Sequence, residues 1–186
     1  MSDSVHVLGI CGSLRSGSYN AALLRAASEL LPQGMTLTLH DLRSIPLFDG
    51  DVEAAGLPAS VVELQTAIRE ADGVLIATPE YNYSIPGVLK NSLDWVSRGK
   101  NQPLGSKPVA LMGASAGGFG TVRSQLALRQ VLQALDARDL QRPELHVGNA
   151  GKVVSPEGVL TDEATREKIR AMLAAFALWI RPSMTA

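Results

Sequence analysis

The chain has 186 residues, 46% of them apolar, which is enough for one domain with a sizeable core. Seventeen Lys and Arg against eighteen Asp and Glu leave a net charge of −1, without the basic excess on which nucleic-acid binding rests. The single cysteine, Cys11, excludes an intramolecular disulfide and a cysteine-rich zinc site.

Residues 5–10 form a short, nearly continuous apolar run, as expected of a strand covered on both faces. A helix follows, with Leu23, Ala27, Leu30 and Leu31 on one face. Met35–His40 alternates Met and Leu with Thr and His, which reads as a half-exposed edge strand. Residues 41–56 are a long irregular stretch carrying Pro46, Leu47 and Phe48. It either offers an apolar surface to a partner or folds onto its own domain. Val61, Leu64 and Ile68 mark the next helix, and residues 73–78 a third strand. Ile85, Val88, Leu89, Leu93 and Val96 share a helical face before the fourth strand at 108–112. Leu128, Val131, Leu132 and Leu135 form another face. A weaker fifth strand is expected at 143–147, with Pro143 at its start. Ile169, Met172, Leu173, Phe176 and Ile180 define the last helix.

Five β-α units in alternation predict a three-layer α/β sandwich spanning 1–186 as a single domain. Its five-stranded parallel sheet takes the order 2-1-3-4-5, with the half-exposed strand at the edge. The N-terminus lacks the basic start and apolar run of a secretory signal. The longest apolar stretch, 171–180, is bracketed by Arg170 and Arg181 and falls far short of the ~20 residues that cross a bilayer. A cytoplasmic protein without membrane or nucleic-acid partners is expected.

Sheets of this order bind ligands in the loops after strands one, three and four. The first loop is Gly12-Ser13-Leu14-Arg15-Ser16-Gly17-Ser18-Tyr19-Asn20, opening into a helix. A helix N-terminus favours an anion, and Ser13, Ser16, Ser18, Asn20 and Arg15 add donors and charge. The glycine spacing is that of a Walker A loop, but Ser18-Tyr19 replaces its Lys-Ser/Thr pair. The G-x-G-x-x-G dinucleotide fingerprint is absent. Gly17 stands where a phosphatase loop built on Cys11 would need arginine. What remains is a cradle for one terminal phosphate. In the second loop, Thr78-Pro79-Glu80-Tyr81-Asn82-Tyr83-Ser84-Ile85-Pro86-Gly87, two tyrosines, an asparagine and stiffening prolines form a ledge for a planar heterocycle.

Taken together, Gly12-Ser13-x-Arg15-x-x-Ser18-x-Asn20 and Pro79-Glu80-Tyr81-Asn82-x-Ser84-x-Pro86-x-x-Leu89-Lys90-Asn91-x-x-Asp94-Trp95 resemble the NADPH-dependent FMN reductase family. That family is flavodoxin-like and includes quinone, chromate and azo-dye reductases. The resemblance implies FMN phosphate held by Ser13, Arg15, Ser18 and Asn20, with Tyr19 also at the cofactor, and the isoalloxazine ring set against Pro79, Glu80, Tyr81, Asn82 and Tyr83. It also implies NADPH or NADH as electron donor, small-molecule acceptors, and a homodimer or homotetramer. In this reading the flavin carries the chemistry, and no protein side chain acts as a catalytic nucleophile or acid-base group.

The third loop, Gly113-Ala114-Ser115-Ala116-Gly117-Gly118-Phe119-Gly120, contains G-x-S-x-G, the nucleophile elbow of α/β-hydrolases. Ser115 followed by Asp136 or Asp139 and then His146 would give a serine hydrolase. The family resemblance instead implies that Ser115, Gly117 and Gly118 approach the flavin. A third alternative is an electron-carrier flavodoxin, against which the balanced charge argues. His6, His40 and His146 read as sheet-surface residues. Arg123, Arg129, Arg138 and Arg142 read as solvated helix charges or interface pairs.

Overall fold

The computed structural model describes residues 4–181. Strands β1 (Val5–Cys11), β2 (Met35–His40), β3 (Gly73–Ala77), β4 (Pro108–Ala114) and β5 (Arg138–Asp139) pair in parallel, and the sheet order is β2-β1-β3-β4-β5. The register places Val7 beside both Leu37 and Gly73. β3 is buried along its whole length, whereas β2 is buried only in part, as its alternation of apolar and polar residues anticipates for an edge.

Helices cover both faces. On one, α1 (Tyr19–Glu29) and α6 (Glu163–Ile180) bury Leu23, Leu24, Ala27, Met172, Leu173 and Phe176. On the other, α3 (Ala59–Glu70), α4 (Gly87–Val96) and α5 (Val122–Ala134) bury Val61, Leu64, Leu89, Leu93, Leu128 and Leu132. Each of the larger side chains among them contributes about 1.5–3 kcal/mol by leaving water, so the two apolar layers hold the sheet between them. Gly73 lets α6 come close, because a Cβ there would sit 2.8 Å from Phe176 and Ile180. Among the described residues no helix is long and apolar enough to cross a membrane.

The fifth strand differs from the sequence expectation. Its place is shared by two short pieces, β5 (Arg138–Asp139) beside Pro108 and Val109, and β6 (His146–Val147) beside Gly113 and Ala114. Pro143 has no N–H for a ladder; Leu145 O still accepts from the Gly113 N–H of β4 (3.0 Å), and side chains of α5 reach the flanking carbonyls as well. Arg129 donates to Leu140 O (3.2 Å) and Gln125 to Leu145 O (3.0 Å).

The stretch 41–56 is not wholly irregular either, for it contains the short helix α2 (Gly50–Ala55). Its apolar turn is held on its own domain. Asn91 and the indole of the fully buried Trp95 both donate to Pro46 O (2.8 and 2.9 Å), and Phe48 packs edge-on to Trp95. Leu47 projects furthest, 84% exposed, with Phe48 and Val52 exposed to a lesser degree.

Candidate functional site

Three loops meet beyond the carboxyl ends of β1, β3 and β4. The first is packed hard against the second: a Cβ on Gly12 would lie 3.2 Å from each of Leu89, Pro79 and Pro86. Ser18 caps α1, its hydroxyl accepting from the Ala21 N–H (3.3 Å) and its carbonyl from Ala22 (3.0 Å). Among the described residues the N–H groups of Tyr19 and Asn20 have no protein acceptor, as befits the first turn of a helix. The Ser13 hydroxyl takes the Arg15 N–H (3.4 Å) and meets the Tyr81 hydroxyl (3.4 Å), which bridges the two loops. The Arg15 guanidinium lies over the Tyr19 ring, 5.2 Å from its centroid, and has no acidic partner among the described residues.

Asn20 points elsewhere than a phosphate donor would. It is 2% exposed, and its amide donates to Ala114 O and accepts from Ala114 N–H, both at 2.9 Å. It acts as a strand partner for the end of β4, so α1 and the third loop are fastened together behind the cleft.

The second loop is a two-residue turn. Tyr81 and Ser84 exchange N–H···O bonds (3.2 and 3.0 Å) around Asn82 and Tyr83, whose φ values are +49° and +67°. Both central residues at positive φ define a type I′ turn. Asparagine enters that region readily and tyrosine does not, so Tyr83 is held there by its surroundings. The guanidinium of Arg123 stacks over its ring at 3.8 Å. Glu80, with a side chain only 7% exposed, turns inward. One oxygen accepts from the backbone N–H groups of Arg123 (3.0 Å) and Ser124 (3.2 Å), and the other pairs with the Arg123 guanidinium (2.5 Å). That ion pair holds the Arg123 pKa above its usual value. Thr121, at the N-cap of α5, makes no side-chain cap bond, so a residue of the β3 loop caps α5.

The third loop leans on residues 147–150. The Ser115 N–H donates to Val147 O (3.0 Å), the Ala150 N–H to Ser115 O (2.9 Å) and the Asn149 N–H to Gly117 O (3.0 Å). The Ser115 hydroxyl donates to Gly120 O at 2.6 Å. A nucleophile would need His146 beside it, but that ring faces Glu144 at 3.7 Å, and Asp139 pairs with Arg129. Among the described residues no hydrogen bond joins Ser115, His146 and either aspartate, so the elbow is not part of a triad.

These loops enclose a cleft of about 510 Å³, within the range of small-molecule sites. Every residue expected at the site except Gly118 lines it. Gly118 sits behind, its carbonyl against Gly148. Ala114, Ala116 and Arg123 complete the wall. Arg123 is the residue that sequence reasoning left among solvated charges. Its position, in the first turn of the helix after the glycine-rich loop, is the signal that could have marked it.

Residues 5–152 match the family model of NADPH-dependent FMN reductases. The chain belongs to that family. An NAD(P)H-dependent FMN reductase of Pseudomonas aeruginosa is 51% identical over 181 residues, covering 97% of this chain and 98% of the relative. A quinone reductase of Escherichia coli is 42% identical over 184 residues, covering 97% and 98%. Among solved structures, the flavoenzyme NAD(P)H:acceptor oxidoreductase FerB of Paracoccus denitrificans superposes with a TM-score of 0.86 at 31% identity, covering 96% of this chain and 98% of that one. For a member of the FMN reductase family, the split role of the second loop is the informative feature. Its tyrosines face the cleft, while its glutamate builds the protein behind it.

Proposed function

We propose that the chain is an FMN-dependent NAD(P)H oxidoreductase that reduces small acceptors such as quinones, free flavin, azo compounds or chromate. The observation that carries this reading is the convergence of a phosphate cradle and a flat ledge on one cleft. The donor set fits FMN. Unpaired N–H groups of Tyr19 and Asn20, the hydroxyls of Ser13 and Ser18 and the uncommitted Arg15 suit its terminal phosphate. The 79–83 turn, stiffened by Pro79 and by Arg123 over Tyr83, suits its ring.

When bound, FMN supplies the redox chemistry, taking two electrons from a nicotinamide and passing them to the acceptor. The protein's residues bind and orient. Ser13 and Tyr81 tie the phosphate loop to the ledge, and Asn20 ties it to the third loop. Ser115 and Gly117 fix the third loop's backbone near the ring edge. One cleft serves donor and acceptor in turn, so the kinetics are ping-pong. The protruding Leu47 supports assembly as a homodimer or homotetramer.

The test is to purify the protein, titrate it with FMN, and follow NADPH oxidation with a quinone and no protein partner. Flavin uptake with parallel double-reciprocal lines is expected. A preparation that takes up no FMN would overturn the reading, and turnover only with a protein acceptor would indicate a carrier. Light scattering showing a monomer would remove the assembly.

A further inference from the structure

A second cavity, of about 550 Å³, opens beside the flavin cleft between the start of α1 and the turn at 154–158. The two share Arg15 and Tyr19, which belong to the phosphate cradle, and no residue of the ring ledge at 79–83. The space therefore continues from the phosphate end of the cleft, away from its ring end. A cradle shaped for a terminal phosphate alone would close at Arg15. Tyr19 forms part of the divide, its hydroxyl 3.2 Å from where a Cβ on Gly151 would stand, with the exposed Arg15 guanidinium over its ring. On the far side Arg25 donates one N–H to Gly158 O (2.9 Å). A Cβ on Gly158 would lie 2.7 Å from that guanidinium, so glycine gives it room. Glu29, one turn further along α1, pairs with Arg166 instead. Among the described residues neither Arg15 nor Arg25 has an acidic partner, and the other donors of the Arg25 fork stay available. The one acid in the wall, Glu157, is drawn onto the Ser155 hydroxyl, which lowers its pKa. Two positive charges thus face one engaged carboxylate, and Val154 and Pro156 add apolar surface.

We propose that the flavin site also accepts FAD, with the AMP half of that cofactor in this second cavity. The proposal rests on the flavin reading above. FAD is FMN extended from its phosphate by AMP, so covalent connectivity sets the direction of the extension. Once the first phosphate lies in the cradle, the rest of the molecule has to leave where the cradle opens. The second cavity begins there, and its volume is in the range of small-molecule sites. The first phosphate keeps the N–H groups of Tyr19 and Asn20 at the helix terminus. The second, one bridging oxygen further on, comes between Arg15 and Arg25. A guanidinium suits it because its donors can engage two oxygens at once. Turning the phosphomonoester of FMN into a diester takes one negative charge from the cradle, and the second phosphate returns that charge at the two arginines. The adenine has Val154 and Pro156 to lie against.

The experiment is calorimetric titration of the flavin-free protein with FMN and with FAD. FAD is expected to bind within about ten-fold of FMN, the size of effect that one charge-assisted contact offsets. FAD weaker than that overturns the proposal without recourse to any variant, because the cradle then takes only a terminal phosphate. Arg25→Met, which keeps the apolar stem, should weaken FAD about ten-fold and FMN less than about two-fold. Arg25→Lys keeps the charge and should recover part of the FAD affinity. An AMP half left in solvent would make FAD binding indifferent to Arg25, and an Arg25 that merely pins the 154–158 turn would change both flavins alike. Either result overturns the second cavity as the AMP site. A protein that takes up neither flavin overturns the flavin reading itself, whereas one that takes up FMN and excludes FAD overturns this proposal alone.

Discussion

The carboxylate of Glu80 caps α5 at the N–H groups of Arg123 and Ser124 and also pairs with the Arg123 side chain, which in turn covers Tyr83. The ledge at 79–83 and the start of α5 are therefore one unit. Glu80→Ala removes the acceptor of two helix N–H groups that nothing else caps. It should lower unfolding free energy by about 1–2 kcal/mol and weaken FMN binding. Glu80→Gln keeps an accepting oxygen and should recover part of both losses. Urea denaturation and flavin titration of the two variants check this. Equal losses in both would assign the effect to the charge instead of the cap.

Asn20 and Ala114 make a comparable joint across 94 residues of sequence. Asn20→Ala strands a buried N–H and a buried carbonyl, and should cost about 2 kcal/mol or more. Asn20→Asp keeps the acceptor but sets a carboxylate against the Ala114 carbonyl, and should cost more still. Were Asn20 only a phosphate ligand, both variants would lose FMN affinity at unchanged stability, which denaturation of the flavin-free protein would reveal.

The sheet order and helix faces are legible in the sequence because period-2 and period-3.6 patterns repeat along each element and need no distant information. The divided fifth strand is not legible, because Gln125 and Arg129 of another element bind carbonyls that flank its two pieces. The same limit applies at the site. Glu80 and Asn20 are residue types that suit a ligand, and both line the cleft. Their polar atoms nonetheless face backbone groups 43 and 94 residues away. Composition marks a loop as functional without saying which of its donors turn inward.

Gly148 backs the third loop so closely that a Cβ would overlap the Gly118 carbonyl. Gly148→Ala should displace residues 115–118. Overpacking of this kind costs about 1–3 kcal/mol, and flavin affinity should fall with it. Gly50→Ala is the control, since none of the described residues lies within 4 Å of its added methyl. If both variants melt alike, the close approach of Gly148 to the loop is not a constraint.

His146 gives the fold a pH dependence. Its Nδ1 is buried without a partner among the described residues, and burial pushes its pKa below the usual 6.5. Glu144 opposes that shift, while Arg129 and Arg142 add to it. In the unfolded chain the imidazole takes up a proton near pH 6.5, but in the folded protein it resists until lower pH. The unfolded state therefore binds more protons between those two values, and stability falls as pH drops through that window. Partial solvation and the Glu144 contact keep the slope below the ~1.4 kcal/mol per pH unit of one full proton. His146→Gln should flatten the curve of unfolding free energy between pH 7.5 and 5.5. Urea titrations at constant m-value measure it. Parallel curves for variant and parent would mean that the ring is protonated as easily in the fold as outside it.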